Sequence, residues 1–514
     1  MWKKHQNQRE ERLEERNSLH RLHLFFILLA FALKGFCKSP HFTFTPSLLK
    51  AQLYNYELKI VPARSILEAE QVKDPSNGVV DYLLHFNHFL EVFIAEEKPI
   101  YKKYTEVKSA SLINIENLPD SLPYKKFALS EFHFYSAVLK GKFNELYAAA
   151  RELNKANSLI EDNHKRFPKF IQNNKTRGIL KVYLSTVPEN YAWAVKLLGI
   201  QGNLIGGLRL LKQLADADYT GSPELKYISK ETSYIYSFAL SHVAKQSNLA
   251  WAETLKATND YETNAASAYF RSTLALKLNK NETAINVLKN RPSSTEYYPF
   301  YFLDYQLGSA LLYKQDKSAE MFLKKYLKEF KGRNYIKSCN QKLSWYYLLD
   351  GQLANYKKYR NQILRLGESI TEEDKLAIRY TKKPTPNRYL LQARLLYDGG
   401  YYAKALEASK KVNSANLTTK TEKAEYCYRK GRILEKLGEY EIAMQFYEAC
   451  SLFAVNSTEY YGAYACLYIA DYHLKNGNKV NSKTYYTKAL TFNKNKEYVG
   501  SIEQRARVGL KKIK

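Results

Sequence analysis

The sequence predicts an all-α protein built as a solenoid of helical hairpins. Two observations carry this fold class. The chain has only 21 Gly and 14 Pro in 514 residues, too few for the many turns of a sandwich, barrel or propeller. Small side chains also recur every 36 to 39 residues inside helical patterns of apolar residues, which indicates a repeat architecture. With 45% hydrophobic residues, the chain can bury a large core.

The first 37 residues have the features of an export signal. A basic, polar stretch precedes the apolar run 24–33, and a secretory signal uses about 7 to 15 apolar residues whereas a spanning helix needs about 20. Gly35 and Cys37 place small side chains where a signal peptidase would cut. We therefore expect 1–37 to be a signal peptide or an N-terminal anchor, with a buried first helix as the alternative. Export would make the protein periplasmic, or hold it at the inner membrane through the N-terminus, facing the periplasm.

The next two segments are expected to be helical. Residues 38–176 predict an N-terminal helical region with degenerate repeats, and residues 177–366 predict clearer hairpins. In the second segment Ser272, Gly308 and Ser344 are each 36 positions apart, with apolar residues at helical spacing after each. Equal intervals of this kind indicate one hairpin per repeat.

An insert is predicted over residues 367–387. It separates the repeats spaced by 36 residues from the C-terminal repeats spaced by 38 and 39 residues. It contains the sequence Thr371-Glu-Glu-Asp, which is typical of a helix start, and the Pro384-Thr-Pro punctuation. A short helix followed by a loop is therefore expected.

The clearest units lie in residues 388–514. The small residues Ala393, Gly431 and Ala470 are 38 and 39 positions apart, and Gly438 separates two helical patterns in the middle unit. This arrangement resembles the tetratricopeptide repeat, in which the two helices of a hairpin pack closest at a small side chain. The resemblance implies a solenoid that presents the first helix of each hairpin toward a concave groove.

A second resemblance is carried by residues 177–188, 195–199 and 206–211. They are distantly similar to the inclusion-body-clearance family of tetratricopeptide proteins, in which a helix ending in Ser-x-x-Pro leads into a Leu-Leu-Gly turn and a Gly-Leu-x-Leu-Leu helix. This resemblance implies an interaction scaffold without catalytic residues. The export-like N-terminus and the Lys-, Tyr- and Asn-rich composition look like a Bacteroidota-type protein instead of a eukaryotic one.

Candidate groove residues follow from fitting the tetratricopeptide frame to the C-terminal units. They are Arg394, Tyr397, Tyr428, Arg432, Tyr464 and Asp471. Tyrosine and arginine are common at protein contacts because they give much contact area for little lost entropy. Relatives that clamp a peptide carboxylate have Lys and Asn where this chain has Tyr428 and Arg432, which argues against that function. The open alternative is that these residues only pack against neighbouring repeats.

The predicted function is a non-enzymatic scaffold that binds a protein or peptide in the cell envelope. The net charge of +28 suits an acidic partner, but the lysines are spread along the whole chain, which disfavours nucleic acid because clustered charge marks such sites. Charge-driven binding to nucleic acid or anionic lipid stays an alternative, as does glycan binding. A glycan needs exposed aromatic platforms, and beyond residue 37 the chain has only Trp193, Trp251 and Trp345.

No motif predicts a cofactor, a metal or an enzyme. His85 and His88 lie among phenylalanines and are expected to be buried, and Gly206-Gly207 has no strand before it and no following Lys-Ser/Thr, so it predicts close helix contact instead of a phosphate loop. The four cysteines after Cys37 are expected to be buried thiols. The open alternative in an exported protein is a disulfide, and Cys427 with Cys466 is the pair to check for it.

Overall fold

The computed structural model describes residues 39–185, 202–413, 417–455, 457–492 and 498–513. Throughout these ranges the protein is all-α, and its β-structure is limited to an isolated bridge between His41 and Asn77. The predicted leader 1–37 lies outside the described residues, as does 186–201, which holds the centre of the inclusion-body-clearance motif and Trp193. None of the helices in the described ranges combines the length and the apolarity needed to cross a membrane.

The described residues divide into two compact units. Unit 1 comprises the described residues up to Glu91, together with Tyr101–Gly141 and Glu145–Thr232. Its helices, some of which extend into unit 2, are α1 (Pro46–Glu57), α2 (Ile60–Lys73), α3 (Gly78–Ala95), α4 (Lys98–Glu116), α5 (Pro123–Lys142), α6 (Leu146–Arg166), α7 (Asn174–Leu184), α8 (Leu204–Ala215) and α9 (Leu225–His242).

Close helix contact in unit 1 explains its glycine pair. Helices α7 and α8 pack tightly against each other, and a Cβ at Gly207 would lie 2.9 Å from the carbonyl oxygen of Gly178. Only glycine allows two backbones to approach this closely. The predicted role of Gly206-Gly207 in helix contact therefore agrees with the geometry.

A buried ionic network lies in the interior of unit 1. The Lys175 ammonium is fully buried and forms ion pairs with Glu131, also fully buried, and Glu231. It donates hydrogen bonds to Glu231 at 2.8 Å and to the Tyr135 hydroxyl at 2.9 Å. Burial raises the pKa of Glu131, because desolvation outweighs the opposing Lys175 charge. A single buried cation, Lys175, therefore compensates the charge of two carboxylates.

Unit 2 comprises Val92–Ile100, Lys142–Asn144 and the described residues from Ser233 onward. Its helices after α9 are α10 (Ser247–Ala257), α11 (Ala265–Lys277), α12 (Asn281–Lys289), α13 (Phe302–Lys314), α14 (Ala319–Glu329), α15 (Ile336–Leu349), α16 (Leu353–Arg365), α17 (Glu372–Thr381), α18 (Arg388–Asp398), α19 (Tyr402–Lys410), α20 (Lys420–Leu437), α21 (Tyr440–Phe453), α22 (Tyr461–Lys475), α23 (Lys479–Thr491) and α24 (Val499–Ile513).

Helices of unit 2 pack as adjacent pairs. The closely packed pairs include α11/α12, α13/α14, α15/α16, α18/α19, α20/α21 and α22/α23. Each of these pairs is joined by a tight turn in which one residue has positive φ, namely Asn279, Gln315, Gly351, Gly400, Gly438 and Gly477. A left-handed residue ends the first helix and lets the chain reverse direction within two to four residues.

Small residues lie where the paired helices approach most closely. A Cβ at Gly431 would come within 2.7 Å of the Tyr447 ring, and one at Gly308 within 2.7 Å of the Leu323 side chain. Ser482 donates a hydrogen bond of 2.9 Å to the Ala470 carbonyl oxygen. Gly308, Gly431 and Ala470 are therefore helix contacts within a pair.

The region 367–387 contains the short helix that the sequence predicts. Helix α17 starts after Thr371, whose hydroxyl accepts a hydrogen bond from the Asp374 amide at 3.1 Å, and the segment with Pro384 follows it. This segment leads to α18, which packs against both α13 and α15. As a result, helices far apart in sequence meet around one cavity.

Candidate functional site

The candidate site is a cavity of about 630 Å³ in unit 2. Residues of α15, α17, α18, α20 and the start of α22 line it, together with the segment around Pro384. In α18 and α20 the residue directly after the small contact site reaches a cavity: Arg394 follows Ala393, and Arg432 follows Gly431. One residue turns a helix by about 100°, so a small side chain against the second helix places its neighbour on the adjoining face.

Arg394 and Asp398 form a loose pair in the wall of this cavity. The Arg394 Nε and an Asp398 carboxylate oxygen are 3.7 Å apart, and the two side chains are 38% and 41% exposed. Neither side chain forms a hydrogen bond with another described residue. A guanidinium has five donors and a carboxylate two acceptor oxygens, so both groups keep most of their bonding capacity for a ligand.

The Arg394 guanidinium packs against the ring of Trp345. The guanidinium lies 5.0 Å from the centre of the Trp345 ring, in the geometry of a cation–π contact. Trp345 is only 5% exposed. Its indole N–H is buried and has no hydrogen-bond partner among the described residues. The tryptophan therefore fixes the position of the arginine and does not offer a flat exposed platform.

Four of the six predicted groove residues line a second cavity of about 300 Å³ beside the first: Arg394, Tyr397, Tyr428 and Arg432. Arg432 is held between two rings, with its guanidinium 5.2 Å from the centre of Tyr397 and 4.3 Å from that of Tyr468, and it donates a hydrogen bond to each hydroxyl. Tyr428 is 8% exposed, and burial raises its pKa well above the usual value. Arg432 and Tyr428 thus pack against neighbouring helices to a large extent.

The other two predicted residues lie elsewhere. Asp471 forms an ion pair with Arg505, accepts a hydrogen bond from Tyr486, and lines a separate cavity of about 700 Å³. Tyr464 belongs to a group of tyrosine rings, with its ring centre 5.7 Å from that of Tyr460 and 6.2 Å from that of Tyr498. The structure therefore groups four predicted residues and places Asp471 and Tyr464 apart from them.

Opposite charges are balanced around the larger cavity. Its basic residues are Lys342, Arg379, Lys383, Arg394 and Arg429. Its acidic residues are Glu373, Asp398, Glu422, Glu425 and Glu459. In a chain of net charge +28, this wall has no excess of positive charge. Such a lining suits a ligand that offers both donors and acceptors, and it lacks the clustered positive charge of a nucleic-acid site.

Lys342 is an important wall residue that sequence reasoning missed. It is 6% exposed, and its ammonium donates hydrogen bonds to the Tyr305 hydroxyl at 2.9 Å and to the Ser338 hydroxyl at 3.1 Å. Within the described part of the chain, no carboxylate forms an ion pair with it. Nothing in the local sequence around Lys342 marks it, whereas Asp398 lies four residues after Arg394 and helical spacing could have identified it.

The histidines and cysteines that could bind a metal or form a disulfide lie in the buried core. His85 is buried against Phe132, and His88 lies 3.5 Å from Glu91. The four described cysteines are free thiols and are buried, Cys427 and Cys466 among them, and burial raises the pKa of these two thiols to about 11 and about 12. Across the described ranges, no group of three or more His, Cys, Asp or Glu side chains could hold a metal ion.

No protein-family model matches this sequence, and no curated protein matches it either.

Proposed function

We propose that the protein is a tetratricopeptide-like solenoid that binds an extended segment of another protein in the cavity around Arg394. It acts as a non-enzymatic scaffold. The single observation that carries the proposal is the loose Arg394–Asp398 pair, whose donors and acceptors remain available on the wall of a cavity of about 630 Å³. An extended peptide offers N–H and C=O groups that match such a pair.

The aromatic residues of the cavity support a peptide ligand. Tyr460 lines it beside Arg394 and Arg429, and the Pro384 segment adds apolar surface. Protein contacts concentrate their binding energy in tyrosine, tryptophan and arginine side chains. A sugar ligand would need a flat exposed ring, but Trp345 is buried beneath Arg394. This favours a peptide over a glycan.

The solenoid and the location in the cell envelope are also proposals. Paired helices with a small residue at the contact and a left-handed residue at the turn support a repeat arrangement. The basic, then apolar N-terminal sequence supports export, either as a cleaved leader or as an anchor of the inner membrane. The partner would then be a protein of the periplasm or the membrane.

The test is an affinity capture from native cell envelopes at low and at moderate salt. The bait is the mature chain, compared with an Arg394→Ala/Asp398→Ala variant. A matched control is Lys328→Ala/Glu329→Ala, which removes another exposed ion pair of unit 2. We expect a protein partner to stay on the parent and the control at both salts, and to fall about tenfold or more on the cavity variant.

Two results would count against the proposal. Equal retention of that partner by the cavity variant would remove the cavity from the interaction. Retention of nothing but nucleic acid or lipid that moderate salt releases would favour binding through net charge. Thermal unfolding of the three baits ensures that a loss of binding does not come from a loss of fold.

A further inference from the structure

We infer that the bound segment is acidic, and that Lys342 and Arg394 hold a side-chain carboxylate of the partner. This inference rests on the proposed function and names the partner's chemistry. It starts from Lys342, a buried ammonium in the cavity wall whose described partners are the hydroxyls of Tyr305 and Ser338. Its positive charge acts on the Asp374 and Asp398 carboxylates, but neither forms an ion pair with it among the described residues. Burying a charge without an ion-pair partner is costly, and a ligand anion lowers this cost.

Arg394 and Lys342 line the same cavity. Lys342 and Trp345 are three residues apart on α15, so they share one face of that helix. The Arg394 guanidinium lies over Trp345, 5.0 Å from the ring centre. The wall therefore carries a buried ammonium and a half-exposed guanidinium, and both positive charges oppose the rise that burial causes in the pKa of Asp398. A guanidinium fork binds a carboxylate through two parallel hydrogen bonds.

Most acidic residues of the wall are already engaged. Glu425 forms an ion pair with Arg429, and Glu459 pairs with Lys383 at 2.6 Å. Glu422 accepts the hydrogen bonds that cap its own helix α20.

Two acids remain. Glu373 is exposed in the first turn of α17, where a negative charge is stabilised by the helix N-terminus. Asp398 is only loosely paired with Arg394. For Arg394, a partner carboxylate therefore competes only with the weakly held Asp398. For Lys342, it competes with no carboxylate of the described residues that is in ion-pair contact. The net charge of the whole chain also attracts an acidic segment over longer distances.

The test uses three pools of synthetic nonapeptides with acetylated N-termini and amidated C-termini. Their central residue is Glu, Gln or Lys, and the flanking positions are equimolar mixtures of Ala, Leu, Tyr, Ser and Pro. The full chain is immobilised, and retained peptides are quantified by mass spectrometry at about 0.15 M salt. We expect the Glu pool to be retained about tenfold more than the Gln pool, because only Glu supplies a carboxylate.

Variants assign this preference to the wall residues. In Lys342→Met and in Arg394→Gln the ratio of Glu to Gln retention is expected to fall to about twofold or less. The ratio is the readout because a general loss of peptide binding lowers the retention of both pools alike. Arg394 is half-exposed, so Arg394→Gln tests the inference even where Lys342→Met lowers stability. The matched control, Lys328→Met, removes an exposed lysine away from the cavity and is expected to keep the tenfold ratio.

The outcomes separate this inference from the proposed function. Retention of all three pools without preference for Glu, or a preference that both cavity variants keep, would overturn the acidic partner while peptide binding stands. Stronger retention of the Lys pool would overturn it in the same way. Retention of none of the pools would contradict peptide binding itself. An arm with free C-terminal carboxylates distinguishes a chain terminus from an acidic side chain: dependence on the free terminus overturns the side-chain assignment.

Discussion

Replacing Lys175 with methionine is expected to lower the free energy of unfolding of unit 1 by about 3–5 kcal/mol at neutral pH, because a buried ion pair that loses one partner leaves an uncompensated charge. Lys175 is the cation between Glu131 and Glu231. Its removal leaves these two carboxylates facing each other in the core. Chemical unfolding followed by circular dichroism measures the loss.

The pH dependence of this variant has a defined sign. Burial already raises the pKa of Glu131 above the usual 4.5, and losing Lys175 raises it further. A carboxyl whose folded pKa is raised binds its proton more tightly in the folded state, so it stabilises the fold as pH falls toward 4.5. The deficit of Lys175→Met should therefore shrink between pH 7 and pH 5.

Two further variants complete this test. Lys73→Met removes an exposed lysine of unit 1 and is expected to change the stability by about 0.5 kcal/mol or less. Adding Glu131→Gln to Lys175→Met removes one of the two carboxylates and is expected to restore part of the loss. A Lys175→Met protein as stable as the parent at pH 7 would contradict the buried network.

Replacing Gly431 with tryptophan is expected to destabilise or open the helix pair α20/α21. Even a Cβ at this position would lie 2.7 Å from two carbons of the Tyr447 ring, and Tyr447 is fully buried. Overpacking a tight core contact costs about 1–3 kcal/mol, and more when the neighbour cannot move. The effect is measured as a lower melting temperature together with a loss of helical circular dichroism.

A second glycine provides the control for this substitution. Gly500 lies in helix α24, and a Cβ there would have no atom within 4 Å. Gly500→Trp is therefore expected to melt close to the parent. A Gly431→Trp protein with unchanged melting and helicity would show that Gly431 is not a tight helix contact, and the repeat frame fitted through it would fail.

The sequence carried enough information to predict the hairpins of unit 2. Within a pair, the 3.6-residue period and a small residue such as Gly431 determine which face meets the second helix, and both are local properties of the chain. The same frame puts Arg394 and Arg432 next to the small sites, and in the structure both residues line a cavity. It did not distinguish the half-exposed Arg394 from Arg432. The guanidinium of Arg432 lies between the rings of Tyr397 and Tyr468, which belong to two other helices.

The rest of the site depends on contacts between distant segments. Trp345 supports Arg394 only because the 367–387 region brings α18 back against α15. The buried setting of Lys342 depends on Tyr305 from another helix pair. The boundary between the two units falls after Thr232, inside helix α9, where no Pro- or Gly-rich linker marks it. Periodicity along one helix contains none of this information.

The most direct test of peptide binding in the cavity is a photo-crosslink from its wall. Tyr460, which lines both cavities, is replaced with p-benzoylphenylalanine, and the protein is irradiated in native cell-envelope extract. The same probe at Tyr147, an exposed residue of unit 1, is the control. We predict that the probe at position 460 attaches to a defined segment of one polypeptide, and that Arg394→Ala/Asp398→Ala abolishes this adduct. Equal adducts at both positions, or none at position 460, would contradict binding in the cavity.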